Sequence, residues 1–331
     1  MEYTRIPNCN FEVSRIALGT WSIGGFGWGG SDDRQSLATI RLAFEKGVNI
    51  IDTAPIYGKG HSEELVGQAM AEYGHRERVC ISTKFGLTFD TPKIGVDSSP
   101  ARIRKEIEDS LRRLRTDYID VYQVHWPDAS RPFAQTAEVL AGLLKQGKIR
   151  AIGVSNHSPQ QMDAFRKVAP IHSAQPPYNL FERAIERDVL PYCREHSIAV
   201  LAYGPLCRGL LSGRMRPDTR FGNDDVRSAD PKFQQPRYAQ YLEAVTRLDR
   251  FAQEKYGKRV IHIAMRWVLD QPGVTVALFG GRKPEQLDAV DGMLGWKLDA
   301  AAMKEIDRIV NECVKEQIGP DFLAPTPASA A

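Results

Sequence analysis

Four side chains with complementary acid–base chemistry stand at the ends of apolar runs or in the loop just after one. Asp52 ends the apolar run Val48-Asn49-Ile50-Ile51, and Tyr57 follows in a loop punctuated by Pro and Gly. Lys84 ends a second run, Val79 to Thr83, and His125 ends a third, Ile119 to Val124. An acid and a lysine beside a phenol form an arrangement for moving protons. A free phenol has a pKa of about 10, too high for ideal exchange near neutrality. An ammonium at Lys84 is expected to lower that value by favouring the phenolate, while Asp52 holds the lysine charged and in place. His125, next to Trp126, would direct a carbonyl oxygen toward Tyr57. Taken singly, each has a plain structural reading. Asp52 with Lys84 is also a buried ion pair without chemistry, and His125 is also a satisfied core imidazole.

The elements that must position these groups are legible as eight short apolar runs: Ile16 to Leu18, Val48 to Ile51, Val79 to Thr83, Ile119 to Val124, Ala151 to Val154, His172 to Ala174, Ile198 to Tyr203 and Thr275 to Phe279. Near-continuous apolar runs, rather than alternating ones, mark strands buried on both faces. Helical patterns lie between them, at Asp33 to Lys46, Pro100 to Leu114, Phe133 to Gln146, Ser158 to Val168 and Glu186 to Glu195, and a further helix starts after the polar segment His61 to Glu64. Strand and helix in alternation predict an α/β fold, a (β/α)8 TIM barrel with its active site at the carboxyl ends of the strands. A strand pair around Asn8-Cys9-Asn10 is placed to plug the barrel's bottom. The polar stretch Met215 to Pro236 follows strand 7, is too long for an ordinary connection, and is expected to fold over the mouth. Two helices, about Tyr238 to Tyr256 and Val260 to Asp270, then lead to the last strand.

The remaining strand ends are Gly19-Thr20-Trp21, Ser155-Asn156, Gln175, Tyr203-Gly204 and Gly280-Gly281-Arg282. The hydroxyl and amides of Ser155, Asn156 and Gln175 suit an amide-bearing ligand such as a nicotinamide, and equally suit a helix cap and a loop hydrogen bond. Tyr203 offers a ring that stacks on a ligand or packs at the rim. Gly280 to Arg282 precede Pro284 and a helical run, so backbone N–H groups and a guanidinium make a phosphate site there. Arg208 and Arg214 add charge from the seventh loop. The segment Gly24 to Gly30 lacks the helix and acid of a dinucleotide fingerprint, and reads as a flexible first loop beside the substrate mouth.

The chain has 331 residues and a net charge of +3, with both signs interleaved. This composition carries no nucleic-acid or membrane-surface footprint. Five scattered cysteines without a C-x-x-C suggest reduced thiols and a cytoplasmic protein. No run is long and apolar enough to span a bilayer. One barrel domain over 1–331 is expected, with about 320–331 as a loose tail.

With these residues in place the chain resembles the aldo-keto reductases over essentially its whole length. The resemblance rests on IDTAPIYGKGHSEELVG, ISTKFG, YQVHWPD, IGVSNH, AQPPYNLFER and AYGPLCRGLLSGR, in that order. The last two strings are most similar to the bacterial family 11 branch, which contains general-stress aldehyde reductases. The resemblance implies an Asp–Tyr–Lys–His tetrad at Asp52, Tyr57, Lys84 and His125. It implies NADP(H) extended across the barrel mouth, near Thr20, Trp21 and Asp52. Ser155, Asn156 and Gln175 would hold the carboxamide, and Tyr203 would stack on the ring. Gly204, Pro205, Leu206, Cys207 and Arg208 would line the pyrophosphate. Gly280, Gly281, Arg282 and Gln286, with Arg214, would hold the adenosine 2′-phosphate end. Trp21, Tyr57, His125 and Trp126 would face a small aldehyde, such as glyceraldehyde, or a polyol in reverse.

Two positions depart from the family pattern: Val290 stands where many relatives have Asn, and Gly204 where many have Ser. Two other function classes compete. Channel β-subunits share this fold and hold NADP(H) chiefly as sensors. A metal-dependent barrel hydrolase would need H-x-H on the first strand, and Arg15 to Thr20 contains no histidine. The sequence is compatible with a monomer.

Overall fold

The computed structural model describes residues 1–89 and 93–325. A hairpin, β1 (Tyr3–Arg5) against β2 (Glu12–Ser14), precedes the barrel. The barrel strands are β3 (Ile16–Gly19), β4 (Ile50–Asp52), β5 (Cys80–Phe85), β8 (Ile119–Val124), β9 (Ile149–Ser155), β10 (Ser173–Gln175), β11 (Ala199–Ala202) and β12 (Val274–Gly280). They pair in parallel in chain order, and β12 closes on β3. The short strands β6 (Leu87–Thr88) and β7 (Gly95–Val96) form a separate antiparallel pair after β5.

Helices α1 (Asp33–Glu45), α2 (His61–Tyr73), α3 (Pro100–Leu114), α4 (Phe133–Lys145), α5 (Pro159–Arg166), α6 (Val189–Glu195), α7 (Arg237–Tyr256), α8 (Val260–Asp270) and α9 (Ala300–Cys313) accompany the strands. Local sequence sets their starts. Ser99 caps α3 with Pro100 in its first turn, and Ser158 and Gln161 form a reciprocal capping box at α5. Among the described residues no helix is long and apolar enough to cross a membrane.

Alternation along the strands divides the core in two. One face packs outward on the helices. The other fills the barrel from the bottom with Ile50, Cys80, Val121, Ala151, Ala199 and Val276, and Ile6 and Val13 of the hairpin region join that inner cluster. Above it the filling turns polar, with Ser82, Gln123 and Ser173 all fully buried. Gly153 makes room for this layer: a Cβ there would sit 2.6 Å from Gln123 Cγ and 2.7 Å from Ser173 Oγ.

Several boundaries differ from the sequence reading for local reasons. β4 begins after Asn49, whose side chain instead accepts from Ser14 N at 2.6 Å and donates to Glu12 O at 2.9 Å, fastening the hairpin. α6 starts after Glu186 because Ala184–Glu186 is a 3-10 turn and Asp188 caps the helix. The stretch after β11 carries 3-10 turns at Val226–Ser228 and Pro231–Phe233, and Phe221, Val226 and Arg227 line the cavity at the mouth. The first loop is tied to it, since Val226 N donates to Gly27 O at 3.0 Å and Trp28 bridges to Asp225. The segment expected as a loose tail contains a 3-10 turn, Asp321–Leu323. Its last part, 326–331, lies outside the described residues.

Candidate active site

The barrel brings the four acid–base side chains together from β4, the loop after it, β5 and the end of β8. Lys84 Nζ donates to Asp52 Oδ1 at 2.5 Å, to Thr53 O at 2.9 Å and to Tyr57 Oη at 3.4 Å. Lys84 is fully buried and Asp52 is nearly so. The His125 ring stands edge-on to Tyr57 with centroids 6.0 Å apart, and the Trp21 ring stacks on the phenol at 6.1 Å. Asp52 is held from both ends. Its Oδ2 accepts from Ser82 Oγ at 2.9 Å and from Gln175 Nε2 at 2.8 Å, with Gln123 Nε2 at 3.4 Å.

The electrostatics correct one expectation. Lys84 does not bring the phenol toward neutrality. Withdrawal from water, then the charge of Asp52, push the Tyr57 hydroxyl well above its ordinary pKa. Asp52 sits directly on the lysine, so its negative charge offsets the ammonium that would have favoured a phenolate. Burial lowers the Lys84 pKa, and Asp52 counters part of that fall. Burial, then the positive charge of Lys84, depress His125 well below the usual imidazole range. At neutral pH the site therefore presents a protonated phenol and a neutral imidazole.

A second set of polar groups adjoins this one. Ser155 Oγ donates to Gln175 O at 2.8 Å, and Asn156 Nδ2 donates to His125 O and to Ser155 Oγ, each at 3.1 Å. Tyr203 Oη donates to Asn156 Oδ1 at 3.1 Å. Asn156 takes a left-handed φ of 61°, which turns its amide back over the strand end. Because Gln175 gives its N–H to Asp52, its amide orientation is fixed by that carboxylate.

One cavity of about 720 Å³ runs across the mouth. Thr20, Trp21, Asp52, Tyr57, His125, Trp126, Ser155, Asn156, Gln175, Tyr203, Gly204, Pro205, Leu206, Arg208, Arg214, Gly280, Arg282 and Gln286 all line it. Lys84, Cys207 and Gly281 do not, and Lys84 meets the cavity only through its contact with Tyr57 Oη. Thr20 turns its hydroxyl inward, donating to Asp52 O at 2.9 Å. Gln286 gives its carbonyl to Arg282 N at 2.8 Å and Lys283 N at 3.0 Å, closing the turn that carries Arg282.

Arg208 differs most from its sequence reading. Its guanidinium is buried between Glu182 and Asp230 and is not a free cation for a phosphate. Sequence reasoning missed Glu182, Asp230 and Lys232, because charges in polar loops read as solvated. It also missed Trp28, whose ring meets Trp21 edge-on at 5.2 Å. Phe322 and Leu323 of the C-terminal segment line the cavity as well.

Residues 15–311 match the aldo/keto reductase family. The chain belongs to that family. It is 53% identical to the aldo-keto reductase YhdN of Bacillus subtilis (strain 168) over 98% of both chains. It is 35% identical to the NADH-specific methylglyoxal reductase of Escherichia coli (strain K12), covering 92% of this chain and 98% of that one. Among solved structures, the glycerol dehydrogenase AKR11B4 from Gluconobacter oxydans superposes with a TM-score of 0.88 at 52% identity, over 97% of this chain and 99% of the other. These relatives place the chain in the bacterial family 11 branch. The protein is an oxidoreductase of a family that acts on aldehydes and uses nicotinamide cofactors.

Proposed function

We propose that this protein reduces small aldehydes, including hydroxy-aldehydes such as glyceraldehyde, with NADPH, and oxidises alcohols or polyols in reverse. The observation that carries this reading is the contact of Tyr57 with the Lys84–Asp52 pair, in the same cavity as the amide set Ser155, Asn156 and Gln175. When bound, the cofactor supplies the hydride for the carbonyl carbon. Tyr57 gives its hydroxyl proton to the carbonyl oxygen as negative charge develops there. Neutral His125 aims an N–H at the same oxygen and stabilises that charge. Tyr57 is then a phenolate beside the Lys84 ammonium, and regains its proton from solvent.

The amide groups are suited to a nicotinamide carboxamide, because Gln175 is left with a carbonyl to accept from the ligand once its N–H is spent on Asp52. Arg282 and Arg214 favour a 2′-phosphate at the far end. The Gluconobacter relative's name supports the polyol direction. All of these side chains come from one chain, so a monomer is sufficient. The free cysteines fit a reducing cytoplasm. A panel of aldehydes and polyols assayed with NADPH and with NADH tests the reading. Steady turnover of a simple aldehyde supports it, and tight cofactor retention without turnover overturns it in favour of a sensor.

A further inference from the structure

Four ionisable side chains are buried together apart from the acid–base group at Tyr57, and one of them, Arg208, lines the cavity. Arg208 donates through Nε to Asp230 at 2.7 Å and through a terminal nitrogen to Glu182. Lys232 Nζ reaches Glu182 at 2.9 Å and Asp230 at 3.4 Å. None of the four side chains is more than 3% exposed. Two cations face two anions, so the set is neutral. As a device for stability alone it is poor, since the desolvation of buried charges often exceeds their attraction.

Its geometry fastens separate segments to one another. Glu182 comes from the loop after β10, Arg208 from the turn after β11, and Asp230 and Lys232 from the long stretch beyond. Lys232 also donates to Gly319 O at 3.1 Å, and the Phe322 ring lies 5.3 Å from the Arg208 guanidinium. Burial alone would raise the pKa of Glu182, but Arg208 and Lys232 hold it below the usual carboxylate range, so it stays ionised.

The turn held this way is strained. Cys207 and Arg208 take left-handed φ values of 46° and 55° in succession. Such conformations persist only where the surroundings over-determine them. Glu182 restrains both ends of the turn. It pairs with Arg208 at one end. At the other it accepts from Asn179 Nδ2 at 2.7 Å, and the same amide donates to Gly204 O at 3.0 Å. Gly204, Pro205, Leu206, Arg208 and Gly209 of this turn line the cavity beside Tyr203.

We propose that Glu182 and Lys232 are positioning residues for the cofactor, and that the buried cluster clamps the Gly204–Gly209 turn in the form that receives the cofactor's pyrophosphate. The inference rests on reading the cavity as an NADP(H) site. In this role Arg208 acts through its pairing with the acids and not by contacting phosphate.

The test compares Lys232→Met, Lys232→Arg and the charge-balanced pair Glu182→Gln with Lys232→Met. Gln at 182 has one acceptor oxygen where the carboxylate serves Arg208, Lys232 and Asn179. NADPH is titrated by fluorescence, and adenosine 2′-monophosphate, which lacks the pyrophosphate, is titrated by competition. Both Met-containing proteins are expected to lose NADPH affinity by about tenfold or more while adenosine 2′-monophosphate stays within about threefold, and Lys232→Arg is expected to recover most of the loss. Unchanged NADPH affinity, or equal losses for both ligands, overturns the proposal. Failure of both Met-containing proteins to fold, judged by circular dichroism, also overturns it, by making the cluster a stability device. Absence of NADPH binding in the parent overturns the reading of the cavity itself, and is seen before any variant is compared.

Discussion

Gln175 Nε2 donates to Asp52 Oδ2 at 2.8 Å, joining a side chain of the amide set to the acid of the proton-transfer set. Asp52 thus faces donors on both oxygens: Lys84 on one, and Ser82 and Gln175 on the other. From sequence alone Asp52→Asn looks mild, because an amide can still accept from Lys84. The geometry argues otherwise. An amide that turns its oxygen to Lys84 turns its NH2 into that of Gln175, and Gln175 must flip or withdraw. Asp52→Asn is expected to weaken NADPH binding by about tenfold to a hundredfold, the worth of roughly one charged hydrogen bond, besides slowing turnover. Lys84→Met leaves Gln175 in place and is expected to stop turnover with affinity within about threefold. Fluorescence titration of both decides the matter. Equal cofactor affinity in Asp52→Asn and the parent removes the link.

Tyr57→Phe keeps the ring that stacks on Trp21 and removes only the hydroxyl. Reduction is expected to fall by about 10²–10⁴-fold, the usual worth of general acid catalysis. NADPH affinity is expected to hold within about threefold. A residual rate within about threefold of the parent would take Tyr57 out of the donor role.

The pH dependence follows from the directions of two shifts. The Tyr57 hydroxyl is raised by burial and Asp52, so its proton-donating form is fully populated below the ordinary phenol range. His125 is lowered by burial and Lys84, so it stays neutral as pH falls past the ordinary imidazole value. Maximal reduction velocity is expected to be flat from about pH 5.5 to about pH 8. An inflection near pH 6.5 that disappears in His125→Asn would show an imidazole titrating in the normal range, contrary to its burial.

The strands were legible because parallel strands buried on both faces are predominantly apolar, so an ionisable group at the end of a run stands out. Asp52, Lys84 and His125 could be placed on that basis, and the structure brings them together with Tyr57. What the sequence hid depends on closure of the barrel. Arg208 reads as an available cation because its partners, Glu182 and Asp230, are 26 and 22 residues away in loops. The net field on Tyr57 is hidden from the sequence for a related reason. The sign of the local field depends on how closely Asp52 covers the lysine, and spacing along the chain does not give that distance.

Arg282 lines a smaller pocket of about 230 Å³ with Gly30, Asp32 and Lys283, continuous in sequence with the turn that Gln286 closes. Its Nη1 donates to Trp28 O at 2.7 Å and Gly30 O at 3.0 Å, so the guanidinium is held toward the first loop. The E. coli relative is named NADH-specific, which makes cofactor choice a property to be measured in this chain. Arg282→Ala removes two things at once. Losing the contacts to the first loop loosens that loop for either cofactor, and weakens both to a similar degree. Losing the guanidinium removes charge-assisted bonds that only a 2′-phosphate can accept. The ratio of the two affinities isolates the second effect. The preference for NADPH over NADH is expected to fall by about tenfold to a hundredfold, with each such bond worth roughly 1.5–3 kcal/mol. Titrating both cofactors against parent and variant checks it: a preference that survives while both affinities drop together would mean that Arg282 braces the loop and does not read the phosphate.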